Sequence, residues 1–227
     1  MRPEFPWIDA RDPKPPRRRL CGLDLGKSSD YSALVVLDWT EAPQPLYDVP
    51  AIKRWQLGTS YQSIADWLAK FLKNPEPARN GEPPAILVVD ETGVGMAVVE
   101  MIRRALVEAN VPGGLVTVTI TGGSAVTQVA DVPGKWRVAK KELASVLVQL
   151  FQGKRLQVAS VPERETLLRE AQAFSVKITD VGNETFAAMR EGDHDDTVLA
   201  LALACWAAET LTFPPLVPVR RIQGFVP

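Results

Sequence analysis

Between Leu20 and Leu37 the chain is apolar except for one polar turn and a single acid, Asp24. Such a run limits the options to buried strands: Leu20 to Leu25 reads as one, Gly26 to Asp30 as a tight turn, and Ser32 to Leu37 as the returning strand of a hairpin. Asp24 then sits at the middle or end of a central strand, and buried carboxylates occur where they are paired or bind a cation. Two readings are open at this point. Asp24 is a ligand of a cation site, or it is an acid held by a turn donor or by a lysine such as Lys27.

Leu46 to Leu57 mixes apolar and polar residues as a third strand would, completing a meander. Ser60 to Lys73 places Ile64, Trp67, Leu68, Phe71 and Leu72 at helical spacing. After a Pro-rich loop, Ala85 to Asp90 is an unbroken apolar run ending in an acid, the pattern of a buried parallel strand. Glu91 to Gly95 connects it to a helix over Met96 to Asn110, and open sheets place their sites at turns of this kind. Side chains alternate along a strand, so only one of Asp90 and Glu91 should face such a site. Leu115 to Thr121 reads as a fifth strand, followed by a loop to Gly134. A helix is expected over Trp136 to Gln152, with Lys135, Arg137, Lys140 and Lys141 near its start, where cations oppose the helix dipole; an anionic partner and ordinary solvated lysines both account for them. Arg155 to Ala159 reads as short and extended, Pro162 to Ala173 as a helix, and Phe174 to Thr179 with Glu184 to Arg190 as a further hairpin.

The 227 residues, 46% hydrophobic and 23% charged, suit one globular domain. Residues 1–19, with five prolines and Arg17-Arg18-Arg19, read as a basic arm or linker; 20–213 form the domain and 214–227 a Pro-rich tail. Cys21 and Cys205 lie in apolar runs without metal-ligand spacing and read as core residues of a reducing compartment. The start lacks an apolar signal core, and Thr197 to Ala208 is too short to span a bilayer, so a cytoplasmic protein without membrane partners is expected. A net charge of -1 leaves nucleic-acid binding open, because a cluster of acids masks local basic patches in the sum.

The second chemical signal is Asp193-His194-Asp195-Asp196 at the start of a buried helix, Thr197 to Leu211. One acid there is explained as a cap; three acids and the only histidine exceed what a cap requires. If the strand ending in Asp90 lies beside the strand carrying Asp24, both acids converge with Asp195 or Asp196. Converging carboxylates repel unless cations neutralise them, and oxygen ligands with open positions suit Mg²⁺ or Mn²⁺. Two such ions about 4 Å apart activate a water and stabilise the leaving oxygen of a phosphodiester. Glu91, His194 and Asp193 are candidate auxiliary residues.

The order of elements resembles the ribonuclease H-like fold and, more closely, the nuclease domain of phage terminase large subunits. The resemblance rests on Gly22-Leu23-Asp24-Leu25-Gly26, on Asp30 to Leu37, on Ile86 to Gly95, on Ala139 to Leu143 with Gly153 to Leu156, and on Gly192 to Ala202. It implies an α/β fold, a mixed five-stranded sheet flanked by helices, with an added β-hairpin before the last helix. It also implies a metal-dependent endonuclease cutting double-stranded viral DNA during genome packaging in the bacterial cytoplasm. Asp24, Asp90 and Asp196 would be its catalytic metal-binding acids and Asp195 an extra ligand. The cofactors implied are two Mg²⁺ or Mn²⁺ ions; the partners are DNA, a packaging ATPase domain, a small terminase subunit or a portal. Terminase large subunits carry that ATPase before the nuclease, and 227 residues leave no room for it. Gly22 to Ser28 lacks Walker A spacing. Candidate phosphate contacts are Lys135, Arg137, Lys140, Lys141, Lys154 and Arg155. A Holliday-junction resolvase of the same fold shares this chemistry. An actin-like or sugar-kinase ATPase shares the first hairpin but needs two such domains and a second phosphate loop.

Overall fold

The structure, a computed structural model, describes residues 17–26, 30–40, 44–73, 85–180 and 194–212. Its centre is a mixed sheet. Strands β1 (Arg17–Asp24), β2 (Ala33–Thr40) and β3 (Tyr47–Arg54) form the expected antiparallel meander. After helix α1 (Tyr61–Lys73), strand β4 (Ile86–Asp90) enters parallel to β1 on its other side. Helix α2 (Gly95–Glu108) leads to β5 (Gly114–Thr121), parallel to β4, and two short strands follow, β6 (Val126–Gln128) and β7 (Lys135–Ala139). Helix α3 (Lys140–Gln152), strand β8 (Leu156–Val158), helix α4 (Arg164–Asp180) and helix α5 (Asp196–Thr210) complete the described chain. Among the described residues the sheet has eight strands in the order β6-β7-β5-β4-β1-β2-β3-β8.

Alternation along the inner strands sorts their side chains onto two faces, each covered by helices. Cys21, Leu23, Leu34, Val36, Leu87 and Val89 pack with Ile64 and Leu68 of α1 and Val99 and Ile102 of α2. Leu20, Val35, Leu37 and Val88 pack on the opposite face with Leu143 and Leu147 of α3, Leu167 of α4 and nearly all of α5. Burial on both faces is why these strands read as continuous apolar runs. The two cysteines are free and buried, as expected of core residues, and burial pushes the Cys21 thiol up to about 12. Among the described residues no helix is long and apolar enough to cross a membrane.

Helix α5 is buried from Asp196 through Ala208. A helix apolar all round must be enclosed on all sides. Its close approach to the sheet depends on Gly22, where a Cβ would lie 1.9 Å from the Ala200 carbonyl oxygen. Gly26 has a similar role in the first turn, where a Cβ would come within 2.4 Å of the Asp30 and Tyr31 carbonyl oxygens.

Several expected elements differ. The sheet gains β6, β7 and β8 beyond the five strands read from the sequence. Lys135 to Ala139 is a strand, not the first turns of a helix, because it pairs with β5 and β6 at once while Val138 and Ala139 enter the core. Arg17 to Arg19 are not an arm but the start of β1: Arg19 Nε meets Asp38 Oδ1 at 2.7 Å, and the Arg18 guanidinium lies over the Trp39 ring. Phe174 to Thr179 continues α4 and is not a strand; Leu167, Glu170 and Phe174 share one buried face at helical spacing. Its expected partner, Glu184 to Arg190, lies outside the described residues.

Candidate active site

Four parallel strands, β1, β4, β5 and β7, end at the same edge of the sheet, and the acids collect there. Asp24 and Asp90 are the last residues of β1 and β4, one step beyond the registered pair Leu23–Val89, so they stand side by side. On its other side Asp24 pairs with Ala33, and Ala33 with Arg54. Arg54, Ala33, Asp24 and Asp90 thus form one cross-strand row, and residues in such a row project from the same face. That face carries Ala33 in the cluster with α5, whose first turn brings Asp195 and Asp196.

The acids feel one another. Burial pushes the Asp24 carboxyl well above its usual range, and the charges of Asp90, Asp196 and Asp195 push it further, against the opposing pull of Lys140. Asp90 is raised by burial and by Glu91, but hydrogen bonds from the Thr92 amide and hydroxyl and the charge of Lys140 act the other way. Burial and the nearby Glu170 raise Asp196 to about 6, although a hydrogen bond from Arg54 Nη2, at 3.1 Å, favours its charged form. Asp195 accepts from Lys140 Nζ at 2.9 Å.

Capping does not account for the acids of α5. The Thr197 and Val198 amides and the Thr197 hydroxyl all donate to Glu170 Oε2 of α4, at 2.8, 3.1 and 2.5 Å. Neither Asp195 nor Asp196 is consumed by the helix terminus, and both carboxylates remain directed to the cations beside them. His194 is nearby, with Nδ1 3.8 Å from Asp196 Oδ2 and its ring edge-on to Tyr31 at 5.0 Å. Asp193 lies outside the described residues.

Glu91 is engaged elsewhere, as alternation requires: its carboxylate takes the Thr119 hydroxyl and, at 2.8 Å, Lys135 Nζ. Of the candidate phosphate contacts, Lys140 stands among the acids, Lys141 follows it on α3, and Arg137 is exposed on β7. Lys154 and Arg155 lie apart. Arg155 precedes β8, beside Tyr47 at the start of β3, whereas the acids flank Arg54 at its end, about 20 Å away along a strand of that length. Arg155 Nη1 is also bound to Glu209 at 3.0 Å.

Sequence reasoning missed Glu170, Arg54, Tyr31 and Thr92. Only Thr92 carried a local signal, a hydroxyl two residues after a strand-ending Asp, which forms a turn around the acid. Among the described residues no three His, Cys, Asp or Glu side chains are drawn together closely enough to hold a metal ion. The donor chemistry nevertheless fits one. Asp24 is 8% exposed, its carboxylate has no hydrogen bond among the described residues, and its neighbours are further carboxylates. A hard cation relieves that repulsion.

No protein-family model matches the chain, and no curated protein matches its sequence. Solved structures do. The human cytomegalovirus terminase nuclease domain soaked with Mn matches with a TM-score of 0.56 at 10% identity, covering 88% of this chain and 86% of that one. The large terminase of bacteriophage HK97 matches with a TM-score of 0.50 at 14% identity, over 86% of this chain and 40% of the longer one. The large terminase nuclease of thermophilic phage G20c is 24% identical over 83% of this chain and 81% of that one, with a TM-score of 0.49. The eight-stranded α/β architecture is therefore ribonuclease H-like, and the chain has the fold of terminase large-subunit nuclease domains.

Proposed function

We propose that the chain is a metal-dependent endonuclease that hydrolyses phosphodiester bonds of double-stranded DNA, as the nuclease step of viral genome packaging. The observation that carries this reading is the meeting of Asp24 and Asp90, at adjacent strand ends, with the acids of α5, so that the charges of the other three raise the Asp24 carboxyl. Bound Mg²⁺ or Mn²⁺, two ions in this reading, supplies Lewis-acid polarisation of the phosphate and an activated water. Asp24, Asp90 and Asp196 are the residues that hold the cations, with Asp195 as a further ligand. Thr92 fixes the Asp90 carboxylate, and Glu170 fixes the helix that presents Asp196. Lys140, paired with Asp195, and Lys141 next to it on α3 are the cations a phosphate backbone would meet at the acids, whereas Arg137 alternates with Trp136 and Val138 and projects from the other face of the sheet. The Mn-soaked state of the cytomegalovirus domain supports divalent-metal use. The partners in this reading are DNA and a packaging ATPase, with a small terminase subunit or portal in the assembly.

The test is plasmid cleavage by the purified chain with Mn²⁺, Mg²⁺, Ca²⁺ or EDTA, beside Asp24→Asn and Asp196→Asn. Cutting that requires Mn²⁺ or Mg²⁺ and vanishes in both variants is the expected result. Variants that cut at the wild-type rate refute the assignment of the site.

A further inference from the structure

Arg54 is an unusual neighbour for a cluster of acids. It ends β3 in the same cross-strand row as Asp24, with only the small Ala33 between them. Its side chain is 16% exposed, its guanidinium carbon lies 3.6 Å from the centre of the Tyr31 ring, and Nη2 donates to Asp196. Its buried Nε has no acceptor among the described residues. A guanidinium offers five donors in a planar fork, and a buried donor left unmet is destabilising. The protein groups facing this fork are carboxylates assigned here to cations. An arginine stacked on an aromatic ring, with donors to spare beside hydrolytic carboxylates, matches the bidentate recognition of a phosphate.

We propose that Arg54 binds the phosphodiester of the nucleic-acid substrate: Tyr31 holds its guanidinium, and Asp196 accepts from it until the phosphate oxygens take its place. The proposal rests on the nuclease reading and adds to it the group that couples the acids to the substrate backbone. Were Asp196 to hold a cation, the Nη2 donor of Arg54 would be freed for a substrate phosphate. Cation binding and duplex binding should therefore favour each other, and Arg54 should carry part of that coupling.

The experiment is duplex binding at constant ionic strength in Ca²⁺ and in EDTA, with duplex integrity checked on gels, alongside calorimetric titration with Mn²⁺ alone. Arg54→Gln is expected to weaken duplex affinity in Ca²⁺ about tenfold and to make the dependence of log affinity on log salt shallower by about one. Its Mn²⁺ affinity should hold or rise, because Asp196 loses a competing cation. Arg54→Lys should keep the salt dependence while losing affinity. If wild type binds and cuts but Arg54→Gln keeps its affinity and salt dependence, the proposal is overturned and the nuclease reading stands. A wild type that neither binds nor cuts refutes that reading and this one with it. Should Arg54→Gln fail to fold, Arg54→Lys and Tyr31→Leu decide: affinity unchanged in both overturns the proposal, and affinity lowered several-fold in both supports it.

Discussion

Replacing Asp24 with asparagine should strengthen the fold while removing the chemistry. Asp24 is buried beside three other acids, and no hydrogen bond to its carboxylate is found among the described residues that the change would break. Strands lie about 4.8 Å apart, so carboxylates in adjacent positions roughly 5 Å apart repel by about 3 kcal/mol at an effective dielectric constant near 20. The sign with pH follows from proton counting. A carboxyl whose folded-state pKa is raised binds more protons folded than unfolded, so its contribution to stability is complete below the unfolded pKa and is lost as pH rises through the folded one. The loss is about 1.4 kcal/mol per pH unit for one such group, until the folded pKa is passed. The asparagine variant lacks the slope of Asp24 and keeps those of Asp90 and Asp196. Without divalent cations, its advantage should therefore be small at pH 5 and reach about 1–3 kcal/mol at pH 7.5, a rise in melting temperature of roughly 3–10 °C for a chain of this size. Adding Mn²⁺ should reverse the ranking, because cations that bind only the folded wild type stabilise it by mass action. Thermal melts of both proteins at the two pH values, with EDTA and with Mn²⁺, test this directly. A variant that melts below wild type at pH 7.5 in EDTA, or whose advantage does not shrink at pH 5, refutes the account of mutual repulsion.

Four further outcomes follow from particular positions. Glu170→Ala removes the acceptor for two amides and a hydroxyl at the start of α5, and should cost about 2–4 kcal/mol in chemical denaturation while lowering the pKa of Asp196. Gly22→Ala drives a methyl group into the Ala200 carbonyl and should destabilise by about 3 kcal/mol or prevent folding. Gly122→Ala, with open space around it, should change stability by less than about 0.5 kcal/mol in the same denaturation assay. In duplex-binding titrations, Lys140→Ala with Lys141→Ala should lower affinity and flatten the salt dependence, whereas Lys154→Ala, at the opposite end of the sheet, should leave both unchanged.

The inner sheet is readable from the sequence because its strands are buried on both faces, so that β1, β2, β4 and β5 each appear as an apolar run of the right length, and two of those runs end in acids. The acids of α5 are readable because the remainder of that helix is hydrocarbon. The edges are not. Strand β6 has three residues, too few to display a period, and β8 falls within the segment read as short and extended, Arg155 to Ala159, but nothing local to it signals that it pairs with β3. The β7 segment merges with the following helix in a sequence reading because Trp136, Val138 and the cations around them fit either pattern. Val176, Ile178 and Thr179 favour strands by local propensity, but the backbone there continues α4, whose earlier turns pack into the core. Glu170 and Arg54 leave no trace in their own neighbourhoods, since each acts on a residue far away in sequence, 27 and 142 positions distant.

The burial of α5 bears on when the candidate site is complete. The first half of the chain delivers Asp24 and Asp90, while the other acids arrive only with a helix that lies against β1, β2, β4, α3 and α4. A nascent chain on the ribosome therefore carries an open trough along the sheet, lined by hydrocarbon and lacking half of its carboxylates. On the nuclease reading, docking of α5 completes the set of acids, and a protease that released this one helix would silence the molecule without touching either strand-borne acid.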